Sequence, residues 1–305
     1  MTSMLDWGID VVLWFQQFSP TLDMPFITLS FVGDAKFFLP LLPVLYWCVD
    51  RQTGVRVGLL LLLSAYTNAL LKDMFAQPRP FDYDARVKQI LHADGEGFPS
   101  GHTQTTCVFW GYVALQQRQA WVWVVAIFFM IFVPMARVYV GAHFPTDLLG
   151  GVILGLVFLL LYRWLAPVMV QRLSGQAVGS QVIVVVVVSI LLILLARGDK
   201  NSVAAGSMML GVGGGMVLER RWVGFDTSGP VWQRVVRFLV GGVGLGVLFG
   251  LLHVIFNPVK SILVVQVVRD ALLGGWIGCG APWVFVALGL APAPQRQEIL
   301  GNETP

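Results

Sequence analysis

Charge is what this chain has least of. Of its 305 residues only 12% are Asp, Glu, Lys or Arg, while 56% are hydrophobic and the mean hydropathy is +0.75; a soluble domain carries about 25% charged residues. That scarcity excludes an ordinary water-soluble globule. The apolar residues fall instead into runs that suit a bilayer core of about 30 Å, which takes roughly 20 residues per helix. The net charge is only +3 and the basic residues are scattered between apolar runs, which excludes a nucleic-acid surface. Cysteine is scarce too. Cys48, Cys107 and Cys279 lie in apolar stretches without metal-ligand spacing, so they read as small core hydrophobes, and neither a disulfide framework, a metal nor a cofactor is implied. Met1 to Ser19 lacks a basic n-region and a small-residue cleavage site and carries Asp6 and Asp10, so an interfacial helix that stays attached is expected rather than a signal peptide. No convincing internal repeat is present, and the valine run at 182–188 is what a lipid-facing helix tolerates.

What is there is a succession of apolar spans. Hydropathy places them at 21–34 (short), 36–49, 54–74, 100–117, 119–138, 145–166, 181–197, 202–218, 235–256 and 260–291, the last one broken. The expected fold is all-α, a polytopic transmembrane helical bundle. The one long polar excursion in the first half runs from Gln77 to Phe98 and contains Arg86, Lys88, Asp82, Asp84, Asp94 and Glu96. A polar seam at 167–180, opened by Ala166-Pro167, divides the chain into an expected catalytic membrane domain over 1–170 and a C-terminal helical extension over 171–305.

Three polar strings interrupt the first of these halves: Lys72 with Arg79-Pro80, Pro99-Ser100-Gly101-His102, and Arg137 with His143 and Asp147. If each span crosses once, Lys72 closes one helix, Ser100 and His102 open the next, Arg137 closes the third and His143 and Asp147 open the fourth, so all reach one membrane face. Together they supply three cations, two imidazoles and a carboxylate, the inventory for holding a phosphate group, attacking it and protonating what leaves. Pro99-Ser100-Gly101 and Phe144-Pro145-Thr146-Asp147 read as helix starts, whose free N–H groups and positive dipole end favour an anion. Gly101 removes a side chain where backbone must approach closely. Lys72 adds a point charge, and Arg79 and Arg137 add planar forks for phosphate oxygens.

The histidines divide the chemistry. His143 precedes Asp147 by one helical turn, so the carboxylate can fix its tautomer and support a nucleophile. His102 has no acid in its own motif and is free to act as general acid and, with water, as base. The product of attack is a phosphohistidine, later hydrolysed.

Lys72-x6-Arg79-Pro80, Pro99-Ser100-Gly101-His102 and Arg137-x5-His143-x3-Asp147 resemble, in order and spacing, the three signature motifs of the type 2 phosphatidic acid phosphatase superfamily. The resemblance covers roughly residues 36–166 and stops short of 180–305. It implies a six-helix core and a metal-independent phosphatase acting on lipid phosphates or pyrophosphates. Residue by residue, it implies His143 as nucleophile, Asp147 as its partner, His102 as acid, and Lys72, Arg79, Ser100, Gly101 and Arg137 as phosphate ligands. One position departs from the pattern: Ala136 stands where the third motif usually has serine, which removes one hydroxyl contact worth about 1 kcal/mol.

Taken singly, these residues carry less. A lone lysine or arginine at a membrane helix end commonly snorkels, and His92 and His253 read as structural. In the second half, Gly242, Gly246 and Gly250, and Gly211 with Gly215, read as close helix packing. Arg269 and Asp270 fall in an apolar run and read as a mutual pair at the helix break or as a polar contact for a headgroup. The partners expected are a lipid phosphate or pyrophosphate, such as undecaprenyl diphosphate or phosphatidate, and membrane lipids. Two other functions use the same inventory: a lipid transporter or flippase with a retained phosphate site, and a lipid phosphotransferase.

Orientation follows from the basic residues. Away from the site face stand Arg51, Arg56, Arg118, Arg163, Arg172, Arg220, Arg221, Arg234 and Arg237; the site face carries Lys36, Arg86, Lys88, Arg197, Lys200 and Lys260 besides the motif cations. The positive-inside bias then puts the site outside, facing the periplasm if the membrane is a bacterial inner membrane.

Overall fold

The structure, a computed structural model, describes residues 2–260 and 262–292. Among them no strand forms. The helices are α1 (Thr2–Gln16), α2 (Asp23–Val32), α3 (Ala35–Val44, continued by a π turn at Leu45–Val49), α4 (Arg51–Phe75), the short α5 (Pro80–Tyr83), α6 (Gly101–Gln117), α7 (Ala120–Tyr139), α8 (Pro145–Ser174), α9 (Val178–Leu195), α10 (Lys200–Trp222), α11 (Val231–Phe256), α12 (Leu263–Gly275, continued by a π turn at Trp276–Gly280) and α13 (Ala281–Ala287). Among the described residues seven segments are long and apolar enough to cross a membrane, or eight if the bent pair of α2 with α3 forms one span.

That pair corrects the expectation of two crossings over 21–34 and 36–49. At 1.5 Å per residue the ten residues of α2 reach about 15 Å, half a bilayer core. The axis bends by 45° at the Gly33-Asp34 break and continues. A second correction concerns Ala166-Pro167, where the sequence predicts a helix end. The helix runs on to Ser174 with Pro167 inside it. In apolar surroundings no water replaces the bonds that ending the helix would forfeit.

The chain forms two compact units, residues 1–39 with 63–170 and residues 40–62 with 171–305. In the first unit, α4 and α6 are clamped by a buried amide network. Asn68 Nδ2 donates to Gln104 Oε1 at 2.8 Å, and Gln104 Nε2 donates to Ser64 Oγ at 2.8 Å and to the Ser64 carbonyl at 3.0 Å. Each amide is satisfied by the other helix, which fixes rotation as well as distance. The start of α8 lies against the start of α6 because Gly151 and Gly155 carry no Cβ; one at Gly151 would stand 2.7 Å from the Ser100 carbonyl oxygen. Tyr139 at the end of α7 stacks on Phe26 and donates to Asp23 Oδ1 at 2.6 Å, which holds α2 in place. Gln16 at the end of α1 donates to the carbonyls of Lys88 and Tyr139 and accepts from Lys88 N, so it ties down the polar excursion after α5.

In the second unit the two π turns meet. A π turn shifts hydrogen bonds and frees carbonyls; here Tyr46 Oη donates to the Gly278 carbonyl at 2.9 Å and Trp47 Nε1 to that of Ile277 at 3.1 Å. The break expected within 260–291 is thus a π turn inside one continuous span. Arg269 and Asp270 form the mutual pair, with Nε 2.8 Å from Oδ1.

The glycines sort differently from their spacing. Gly211 and Gly215 do lie against the α12 segment: a Cβ on Gly211 would stand 2.0 Å from the Ala271 carbonyl oxygen. Gly242, Gly246 and Gly250, by contrast, meet nothing within 4 Å among the described residues. The close approaches on α11 are at Gly241, against Trp47, and Gly244, against Trp276. A four-residue repeat marks a small-residue face but not which face has a neighbour. We expect Gly211→Leu to destabilise the protein by about 1–3 kcal/mol, since backbone cannot yield as a side chain does, and Gly246→Leu to stay within about 0.5 kcal/mol; thermal unfolding in detergent reads both.

Candidate active site

Several helix ends converge on a cavity of about 620 Å³ in the first unit. Lys72, Arg79, Gly101, His102, Arg137 and His143 line it, joined by Ser30, Asp34 and Lys36. Six of the eight residues singled out in the motifs therefore share one space. Ser100 and Asp147 stand behind it, both fully buried.

Ser100 is the N-cap of α6. Its Oγ accepts from Thr103 N at 3.4 Å and from Thr103 Oγ1 at 3.0 Å, while its own N–H donates to the Asp147 carbonyl at 3.0 Å. The hydroxyl is thus engaged in holding the helix start. A Cβ on Gly101 would stand 3.0 Å from Asn68 Oδ1, so the glycine serves helix packing as well as access to the cavity.

Asp147 positions His143. Its Oδ2 lies 3.2 Å from His143 Nδ1 and accepts from Phe144 N at 2.9 Å, and its Oδ1 accepts from Gln77 Nε2 at 2.7 Å. With the carboxylate fixed at both oxygens, the pairing favours the tautomer that has its proton on Nδ1 and its lone pair on Nε2. Burial first, and then the charges of Arg137, Arg79 and Lys72, hold His143 well below the ordinary histidine range. A neutral imidazole with a free nitrogen is chemically capable of nucleophilic attack.

The cations are held by backbone. Arg79 Nε donates to the Gly95 carbonyl at 2.8 Å, Nη2 to that of Asp94 at 2.7 Å and Nη1 to that of Ala142 at 2.8 Å, with Nη1 also 3.5 Å from His143 Nε2. Lys72 Nζ donates to the carbonyls of Glu96 and Gly97. The polar excursion thus folds back as an oxygen-rich strap over the cations. Arg137 Nη1 donates to Ser30 Oγ at 2.6 Å, and its Nε is buried without a hydrogen-bond partner among the described residues. An anion in the cavity would meet N–H donors and positive charge on several sides.

The sequence reading missed Ser30, Asp34 and Gln77. Asp34 left one trace, as an acid at a break between apolar runs; Ser30 and Gln77 left none. His102 has no acid in its own motif, and in the structure a carboxylate from outside the motif, Asp34 Oδ2, lies 3.4 Å from its Nε2. His92 sits exposed beside Asp94 in the strap, with its Nε2 2.8 Å from Oδ1.

The sequence is similar to known proteins. The sequence model of the PAP2 superfamily matches residues 53–170, and a second model, for the transmembrane extension of PAP2 superfamily phosphatases, matches residues 203–293, a stretch the motif resemblance did not reach. Phosphatidylglycerophosphatase B of Bacillus subtilis is 29% identical over 157 residues, which is 47% of this chain and 75% of that protein. Glucose-6-phosphatase 3 of Mus musculus is 29% identical over 180 residues, 51% of this chain and 52% of that protein; the chain spans about half the length of this second relative. A solved transmembrane PAP2 type phosphatidylglycerolphosphate phosphatase from Bacillus subtilis superposes with a TM-score of 0.48 at 22% identity, covering 55% of this chain and 88% of that one. The two sequence models together take in most of the chain, which belongs to the PAP2 superfamily of membrane phosphatases.

Proposed function

We propose that the protein hydrolyses a lipid phosphate or pyrophosphate through a phosphohistidine on His143, with the chemistry confined to the unit that contains the three motifs. The observation that carries this reading is His143, buried, with Nδ1 3.2 Å from Asp147 Oδ2 and Nε2 3.5 Å from a guanidinium nitrogen of Arg79. Lys72, Arg79 and Arg137 would neutralise the phosphoryl oxygens as the attack builds charge, in a site where water does not weaken them. Asp147 would orient His143, and His102 would give a proton to the leaving oxygen and take one from the attacking water. Ser100 would act from behind, by fixing the helix start whose N–H groups face the anion. The three cations do the charge neutralisation that a metal supplies elsewhere, and the reading requires no cofactor. The wall of the cavity adds Ile27, Phe31 and Leu91, apolar side chains that suit a lipid tail.

The proposed setting is a membrane whose outer leaflet the site faces, the periplasmic side in a bacterial inner membrane. Two of the residues behind the positive-inside count drop out, one from each face. Arg237 is buried on the carbonyls of Trp47, Asp226, Thr227 and Ser228, and Lys36 lies inside the bent span. The bias keeps its direction.

Phosphate release in detergent from a panel of undecaprenyl diphosphate, phosphatidate, phosphatidylglycerophosphate and a sphingoid phosphate tests the activity and names the lipid. We expect release without an acceptor lipid, which a transporter or a strict phosphotransferase would not give. His143→Ala should lower it by at least about a thousandfold in a protein that extracts normally, and retention of a tenth of the rate would refute the nucleophile. Vanadate should inhibit, and EDTA should leave the rate unchanged; inactivation reversed by added Mg²⁺ would overturn the metal-free reading. For sidedness, a cysteine replacing Ala93 in the strap should react in intact cells with a membrane-impermeant thiol reagent and one replacing Gln117 should not. The reverse labelling would place the site in the cytoplasm.

A further inference from the structure

Asp34 lies at the bend between α2 and α3, outside all three motifs and outside the stretch that the PAP2 superfamily model matches. An acid inside an apolar membrane segment is costly and persists where it meets a partner. The group opposite it is His102: Asp34 Oδ2 is 3.4 Å from Nε2, and that nitrogen is buried with no hydrogen bond at ordinary geometry. The close approach is built into the turn. A Cβ on Gly33 would stand 2.5 Å from Val133 Cγ1, 3.1 Å from Thr106 Oγ1 and 3.3 Å from His102 Cβ, so only glycine lets the bend rest on the start of α6. The other carboxylate oxygen, Oδ1, accepts from Lys36 N at 2.8 Å, which fixes the carboxylate's rotation. One turn earlier, Ser30 meets Arg137, so α2 and its bend reach both the phosphate-binding arginine and the second histidine.

Building on the phosphatase reading above, we propose that Asp34 is the positioning residue of His102: its carboxylate keeps a proton on Nε2 and leaves Nδ1 to carry the proton of the reaction. The arrangement complements the first pair, in which Asp147 holds Nδ1 of His143 and leaves Nε2. In the first step the bond from His143 Nε2 to phosphorus forms, the bond from phosphorus to the leaving oxygen breaks, and the proton on His102 Nδ1 goes to that oxygen. In the second, a water oxygen bonds to phosphorus, its proton returns to His102 Nδ1, and the bond to His143 breaks. His102 is positively charged before the first transfer and after the second. Burial works against that state and Arg137 and Arg79 repel it, while Asp34 is the anion paired with it; His143, Lys36, Lys72, His92 and Asp94 are the further titratable side chains that line the cavity.

A merely structural Asp34 would act as the cap of α3, and asparagine caps a helix as well as aspartate does. Asp34→Asn therefore removes the charge and keeps the cap. We expect it to lower kcat for phosphatidate, whose alkoxide must be protonated as it leaves, by at least about tenfold, and kcat for 4-nitrophenyl phosphate, whose leaving group needs no proton, by less than about threefold. KM for both should stay within about twofold. Equal losses on the two substrates, or no loss on either, would overturn the proposal. Histidine ¹⁵N shifts in detergent separate it from the phosphatase reading: His102 should hold its proton on Nε2 in the unsubstituted protein and lose that preference in Asp34→Asn. A preference unaffected by the substitution would overturn the pairing even in an active enzyme, and a protein that released no phosphate but showed the Asp34-dependent preference would fault the reaction and support the pairing.

Discussion

Lys72, Arg79 and Arg137 bring three cations to one buried imidazole inside an apolar bundle, and a buried charge without compensation costs several kcal/mol. The compensation dictates much of the first unit. Carbonyl oxygens of Asp94, Gly95, Glu96 and Gly97 turn inward to Arg79 and Lys72, which is why the one long polar excursion folds over the site instead of extending into solvent. Ala142 supplies another oxygen from the loop before α8, and Ser30 a hydroxyl from α2. The same compensation leaves the donors functional, because a carbonyl satisfies a guanidinium without cancelling its charge. A phosphate entering the cavity meets preorganised cations, so little reorganisation is needed when charge develops.

The two histidines show how burial and partner geometry assign roles that residue type alone does not. Asp147 is bonded at both oxygens and fully buried, so it holds its imidazole in one tautomer. Asp34 is anchored at one oxygen, lies at a bend, and faces the other imidazole through the second. In the proposed reaction the first histidine attacks and the second, placed beside an anion, gains and loses the proton.

Much of this was legible in the residue order. The apolar runs from 36 onward locate the helices to within about four residues, except that the run at 145–166 continues to Ser174, because hydrophobic length is a strong signal in a membrane chain, and the motif spacing brings Lys72, Arg79, Gly101, His102, Arg137 and His143 into one cavity. What was illegible depends on partners far away in sequence. Ser30 compensates Arg137 across 107 residues, in a chain where Ala136 had seemed to leave a hydroxyl missing. Gly241 and Gly244, not the regularly spaced Gly242, Gly246 and Gly250, face neighbours, because Trp47 and Trp276 come from other elements and no period within α11 announces them. The bend at Gly33-Asp34 hides in hydropathy as a short span, since an averaging window does not separate a crossing from half of one.

The central claim is that His143 Nε2 takes the phosphoryl group. Rapid acid-free quenching of the enzyme turning over a lipid labelled with ³²P in the transferred phosphate, followed by peptide mapping, tests it directly. The account predicts label that survives alkali, is lost in mild acid as a phosphoramidate is, and maps to His143. Label on another residue, or turnover that passes through no labelled protein at any quench time, would contradict it.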